Sequence, residues 1–190
     1  MTQLSHLTPI CPRLIQGLQR IQASGLDLPL IPLNDNKQPL GDGWQNRPFT
    51  AAQLIEAIQN GGVEIPIQGK TKKIQLQGFG LLTGRPIKIE NTTYYLIALD
   101  LDGASAQSKI KELSDGQPLP KTVAFSSGRP GRCQYLFLIP EEFKNTIRTK
   151  KIKTGIKGDD GKIEQVEFRY HNLQSVLPPS VHPTTGQYHW

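Results

Sequence analysis

Tyr94-Tyr95-Leu96-Ile97-Ala98-Leu99-Asp100-Leu101-Asp102-Gly103 is the stretch around which the rest of the chain is read. The apolar and aromatic run over residues 94–99 predicts a buried strand over residues 94–101. Side chains on a strand alternate between faces, so Asp100 and Asp102 share one face, their Cα atoms roughly 6.5–7 Å apart. Leu99 and Leu101 point the other way, into a core. Two carboxylates at the end of a buried apolar strand are costly unless positive charge stands between them. A divalent cation meets that need, and oxygen ligands favour Mg²⁺ or Mn²⁺. The plainer alternative is that the strand ends there with both aspartates solvated, one of them capping the next helix. Gly103, directly after, gives the chain room to turn.

Working outward, residues 105–113 read as a helix stopping at Asp115-Gly116. Residues 123–125 and 134–139 read as strands. Asp160-Gly161 between two extended stretches is a hairpin signal, with 165–170 the returning strand and 175–177 a last short one. On the other side, Thr8-Pro9 opens a helix, since proline is tolerated in the first turn. Leu14, Ile15, Leu18 and Ile21 recur at helical spacing until Gly25 ends the run. Residues 28–33 read as a strand, and a turn-rich loop over 34–39 leads to Gly43-Trp44. Thr50-Ala51-Ala52-Gln53 has capping-box form and starts a helix running to about Gln59. Residues 78–82 form a further strand closed by Thr83-Gly84. Hairpins mixed with helices predict a mixed α/β (α+β) fold with a largely antiparallel sheet. The expected organisation is one domain over 1–190, with a helix-and-strand part to about residue 75 and a metal-binding core from about 76.

The chain has 190 residues, the length of one ordinary domain. An apolar fraction of 36% with 20% charged residues excludes a disordered chain. The net charge of +6 fits a polyanionic partner such as nucleic acid or nucleotide phosphates, although many ordinary domains are as basic. Cys11 and Cys133 form neither metal-ligand spacing nor a disulfide framework, which fits a reducing, cytoplasmic compartment. No apolar run approaches the roughly 20 residues a membrane span needs, so no membrane partner is expected.

Glu167 is the candidate third carboxylate. In Val166-Glu167-Phe168-Arg169 it shares a strand face with Arg169. The ordinary explanation is a surface ion pair; the functional one is three carboxylates converging on two cations. Ser126-Ser127-Gly128-Arg129-Pro130-Gly131-Arg132 joins two strands and suits a phosphate, because backbone N–H groups approach closely and arginine forks the oxygens. It could equally be a plain glycine-rich connection. Pro178, Pro179, Pro183 and Gly186 fix an irregular path that displays Ser180 and His182. Arg148, Lys150, Lys151, Lys153 and Lys157 form a basic run able to follow a nucleic-acid backbone, or simply a solvated face. Lys70, Lys72 and Lys73 make a weaker second cluster.

Taken in order, these pieces resemble the N-terminal primase/polymerase domain of the archaeo-eukaryotic primase superfamily. Leu30-Ile31-Pro32-Leu33 with Lys37 and Gly43-Trp44 looks like its opening motif, and Gly78-Phe79-Gly80-Leu81-Leu82-Thr83-Gly84 like its glycine-flanked strand. Leu99-Asp100-Leu101-Asp102-Gly103 is similar to its metal-binding Asp-x-Asp/Glu. Ser127-Gly128-Arg129-Pro130-Gly131-Arg132 leading into Tyr135-Leu136-Phe137 looks like its second motif. Glu167 sits where its third acidic ligand falls. Leu177-Pro178-Pro179-Ser180-Val181-His182-Pro183, with Gly186, Tyr188 and Trp190, looks like its closing motif.

The resemblance implies a catalytic core with an RRM-like sheet and two divalent ions, Mg²⁺ or Mn²⁺, held by Asp100, Asp102 and Glu167. It implies templated transfer of nucleotides from NTPs or dNTPs onto DNA. Ser127, Arg129, Arg132 and Gln134 would hold the nucleotide, helped by Ser180 and His182. Arg148, Lys150, Lys151 and Lys153 would track the template. A helicase module after Trp190, in a longer replication protein, is a further expectation. One departure stands out: the family usually places a histidine on the second-motif strand, and this sequence has Arg132-Cys133-Gln134-Tyr135. Gln134 can donate a neutral hydrogen bond but carries no charge. The missing histidine motivates one alternative, an attenuated nucleic-acid- and nucleotide-binding module; a third possibility is a two-metal phosphodiesterase using the same acids.

Overall fold

The stretch around Asp100 forms the central strand of a computed structural model that describes residues 10–190. In chain order the elements are α1 (Ile10–Ala23), β1 (Leu30–Leu33), α2 (Ala51–Gln59), β2 (Val63–Ile67), β3 (Lys70–Ile74), β4 (Gly78–Leu82), β5 (Pro86–Ile89) and β6 (Thr92–Asp102). They continue with α3 (Ala104–Leu113), β7 (Val123–Phe125), β8 (Arg132–Pro140), β9 (Lys150–Lys157), β10 (Ile163–Arg169), β11 (Gln174–Val176), β12 (Val181–His182) and β13 (Gly186–Gln187). The expected α+β fold with antiparallel pairing is the one found. Six strands form the main sheet in the order β7-β8-β6-β10-β9, with β5 also paired to β6; a three-stranded sheet runs β1-β4-β11.

The two faces of β6 are covered differently. Leu99 and Leu101 join Val166, Ala106 and Ile110 in a core under α3. On the opposite face, Leu96 belongs to a larger cluster that includes Leu30, Leu54 and Leu81, contributed by the three-stranded sheet and α2. That cluster runs from Leu14 to Tyr188, so the parts before and after residue 75 share one core. Further along the same face, past the buried Ala98, come Asp100 and Asp102.

Local signals account for the boundaries. Thr50 and Gln53 make both capping-box bonds, at 3.2 and 2.8 Å. Gly103 has φ +121, and a Cβ there would lie 2.0 Å from the Glu164 carboxylate carbon. Glu164 accepts from the Ser105 backbone N–H at 2.7 Å, so the first turn of α3 is capped from β10 and not by an aspartate of β6. Thr8 and Pro9 lie outside the described residues.

Some strands carried little sequence signal. The β2-β3 hairpin has an exposed, lysine-rich second strand, and its turn places both Gln68 and Gly69 at positive φ. That geometry usually selects Asn-Gly. The lysines of the basic run lie on strand β9, at the sheet edge, where they discourage pairing with another chain.

Candidate active site on the sheet face

Antiparallel register assembles the site as two rows across four strands. Gln134 on β8, Asp100 on β6, Glu167 on β10 and Lys151 on β9 stand opposite one another in turn. Two residues along, Arg132, Asp102, Gln165 and Lys153 form the second row. Directly opposed residues share a face, so Asp100, Asp102 and Glu167 lie on one face, as the alternation on each strand predicts. The same parity divides the basic run. Lys151 and Lys153 are on the site face, whereas Lys150, opposite Phe168, is on the other. Arg148 precedes the strand and donates to the Ile147 carbonyl at 2.9 Å.

A cavity of about 390 Å³ opens over the rows. Asp100, Asp102, Arg132 and Gln134 line it from the sheet, Ser127 and Arg129 from the loop. Lys37, His182 and Tyr188 line it from segments remote in sequence. Glu167 is buried and absent from this lining. Ser180 is also absent: its hydroxyl accepts from the Phe79 N–H and donates to the Phe79 carbonyl, both at 2.9 Å. The hydroxyl's proton and one of its two lone pairs thus hold the closing segment to β4. Ser127 is buried at the cavity wall, and its carbonyl accepts from the Thr185 hydroxyl at 2.7 Å.

The acids are met by cations of the chain. Arg169 donates through Nη2 to Asp100 at 2.6 Å, through Nε to Glu167 at 2.9 Å and through Nη1 to the Gln174 carbonyl at 3.1 Å. Lys151 stands 3.1 Å from Glu167. Arg132 pairs with Asp102 and, at 3.0 Å, with Asp160; Arg129 reaches Asp160 at 2.8 Å. Arg129 and Arg132 therefore both meet carboxylates at the cavity.

Burial pushes the Asp100 carboxyl above its ordinary range; Arg169 opposes the rise, while Asp102 and Glu167 add to it. Hydrogen bonding from Arg129 holds Asp160 well below the usual range. Burial lowers the Lys37 ammonium, and Arg129 and Arg169 lower it further. His182 is lowered by burial and then by Lys37, Arg129 and Arg132. Burial, with Asp100 adding, pushes the Tyr188 phenol up to about 12.

Among the described residues no three His, Cys, Asp or Glu side chains are arranged as a ready metal site. The chemistry of the donor set nevertheless fits a hard divalent ion. All the donors are carboxylate oxygens on one sheet face, and the buried Gln134 Oε1 beside them has no hydrogen-bond partner. Arg169 supplies positive charge between Asp100 and Glu167. Its parity with Glu167 was visible in the sequence, whereas Asp160, Lys37 and Tyr188 join the site only through loop paths and strand packing.

The family model of the bifunctional DNA primase/polymerase N-terminal domain, Prim-Pol, matches residues 21–190. The chain belongs to this Prim-Pol family. The Prim-Pol match takes in both carboxylate rows, the arginine loop and the closing segment that carries His182 and Tyr188, and gives the domain a DNA primase/polymerase family role. No curated protein matches the chain. Among the described residues of this Prim-Pol domain no helix is long and apolar enough to cross a membrane.

Proposed function

We propose that this Prim-Pol domain catalyses template-directed nucleotidyl transfer from NTPs or dNTPs onto DNA during replication. The observation that carries the proposal is the register of β8, β6 and β10, which gathers Asp100, Asp102 and Glu167 on one face beside a cation-walled cavity. Asp100, Asp102 and Glu167 would hold two Mg²⁺ or Mn²⁺ ions. Such ions, when bound, ease deprotonation of a primer 3′-hydroxyl and neutralise charge at the α-phosphate.

The chain's own residues have separate tasks in this scheme. Arg129 and Arg132 offer forked donors to the triphosphate, sharing them with Asp160 until it arrives. Gln134 positions Asp100 from the adjacent strand and offers a neutral amide where a histidine is usual. Ser127 and His182 shape the phosphate wall; His182, held neutral by its surroundings, contributes a hydrogen bond and no charge. Ser180 fixes the closing segment that carries His182. Lys151 and Lys153 on the site face, with Arg148 just before the strand, attract the template backbone, while Lys150 on the other face adds only to the general positive field. A helicase module in the same protein remains a proposed partner.

The test is extension of a labelled primer on a template with NTPs or dNTPs and Mg²⁺ or Mn²⁺. Wild type should extend, and Asp100→Ala/Asp102→Ala should fall to the level without enzyme while keeping its circular dichroism spectrum. Extension by the double variant at the wild-type rate would sink the assignment. Gln134 favours a second reading, a binding module with weakened turnover. Tight primer–template binding without extension under any metal or nucleotide would select it.

A further inference from the structure

Arg169 stands apart from the other cations of the site. It sits opposite Ala98, one step outside the two rows, yet its guanidinium leans back over the first row. Each of its three nitrogens is engaged: Nη2 on Asp100 Oδ2, Nε on Glu167 Oε2, and Nη1 on the Gln174 carbonyl. The first two contacts use carboxylate oxygens of the proposed metal-holding pair, and the third ties the guanidinium to the three-stranded sheet. A planar fork with fixed donors can span two carboxylates in a way that an ammonium cannot. Glu167 is buried and Asp100 nearly so, so their charges are screened far less than surface charges.

We infer that Arg169 is a built-in counter-cation that competes with a divalent ion for Asp100 and Glu167 and thereby weakens the affinity of the site for the bare ion. The inference rests on the proposed role of those acids in holding metal, but not on turnover. Two consequences distinguish it from a merely structural ion pair. Removing the guanidinium charge strengthens metal binding instead of weakening it. The gain also depends on Asp100, because the oxygens set free are those the ion takes.

The experiment is a Mn²⁺ titration followed by electron paramagnetic resonance of the free ion, without primer or nucleotide. It compares wild type, Arg169→Gln, Arg169→Lys, and Arg169→Gln combined with Asp100→Asn, with circular dichroism to establish folding. Loss of one full positive charge a few ångströms from the ion tightens Mn²⁺ binding about tenfold or more in Arg169→Gln. Arg169→Lys, which keeps the charge and loses the fork, falls between that variant and wild type. Adding Asp100→Asn removes the gain. A folded Arg169→Gln that binds Mn²⁺ no tighter than wild type overturns the inference. If that variant does not fold, Arg169→Lys decides: binding no tighter than wild type overturns it equally. A tenfold gain in a protein that never extends a primer keeps the inference and removes the polymerase reading, whereas active extension without any gain does the reverse.

Discussion

The two faces of β6 and β10 are made by the same residues taken alternately, and they have opposite chemistry. Leu99, Leu101 and Val166 meet α3 and bury their surface completely or nearly so. Asp100, Asp102 and Glu167 meet cations, and the two aspartates also line a cavity. The first face is held by the hydrophobic effect, which is indifferent to exact partners. The second gathers like charges that separate strands would otherwise keep apart, and it holds together because Arg169, Arg132 and Lys151 lie in register or one step from it. The apolar face supports the charged one: rigid strands keep the acids in fixed rows while the cavity stays open above them.

Substitutions can separate the two faces. The largest stability effect belongs to the α3 face. Leu101 is fully buried, and Leu101→Ala should destabilise the domain by about 2–5 kcal/mol in denaturant unfolding, with activity per folded molecule kept. A strong loss of specific activity in the folded fraction would mean that the faces are not separable. A smaller effect is expected at Lys151, which is largely exposed beside Glu167. Lys151→Ala should change stability by no more than about 1 kcal/mol. Its salt dependence of DNA binding should become shallower by about one unit of slope. An unchanged slope would remove Lys151 from the nucleic-acid contact.

The smallest effect is a pH dependence. The folded pKa of His182 lies below its ordinary value of 6.5, so folding favours the neutral ring. Its stabilising contribution is complete above about pH 6.5 and is lost as pH falls through the lowered folded value. Melting temperatures at about pH 7.5 and about pH 5 should therefore differ less in His182→Asn than in wild type. Equal differences would mean that the ring does not titrate as its surroundings require.

Much of this architecture was legible in the residues. The spacing of Asp100 and Asp102, the parity of Glu167 and Arg169, the capping box at Thr50 and the hairpin at Asp160-Gly161 are all local, and local rules found them. The lysine-rich β3 escaped because an exposed strand has no apolar alternation to betray it. Ser180 and His182 looked alike on the same rigid path, but only His182 lines the cavity. The backbone of Phe79, 101 residues away, claims the hydroxyl of Ser180.

Which side chains share a face of each strand can be read from the residues alone, because alternation is a property of one extended chain. Which strands stand side by side, that Asp100 meets both Gln134 and Glu167, and that Arg169 reaches across to bind two acids at once all emerge from the folded chain. Those pairings depend on the register between strands, which is set by burial of Leu99, Leu101 and Val166 under α3 and of Leu96 under the three-stranded sheet. Such burial is a sum over contacts distant in sequence, and no single stretch of residues contains it.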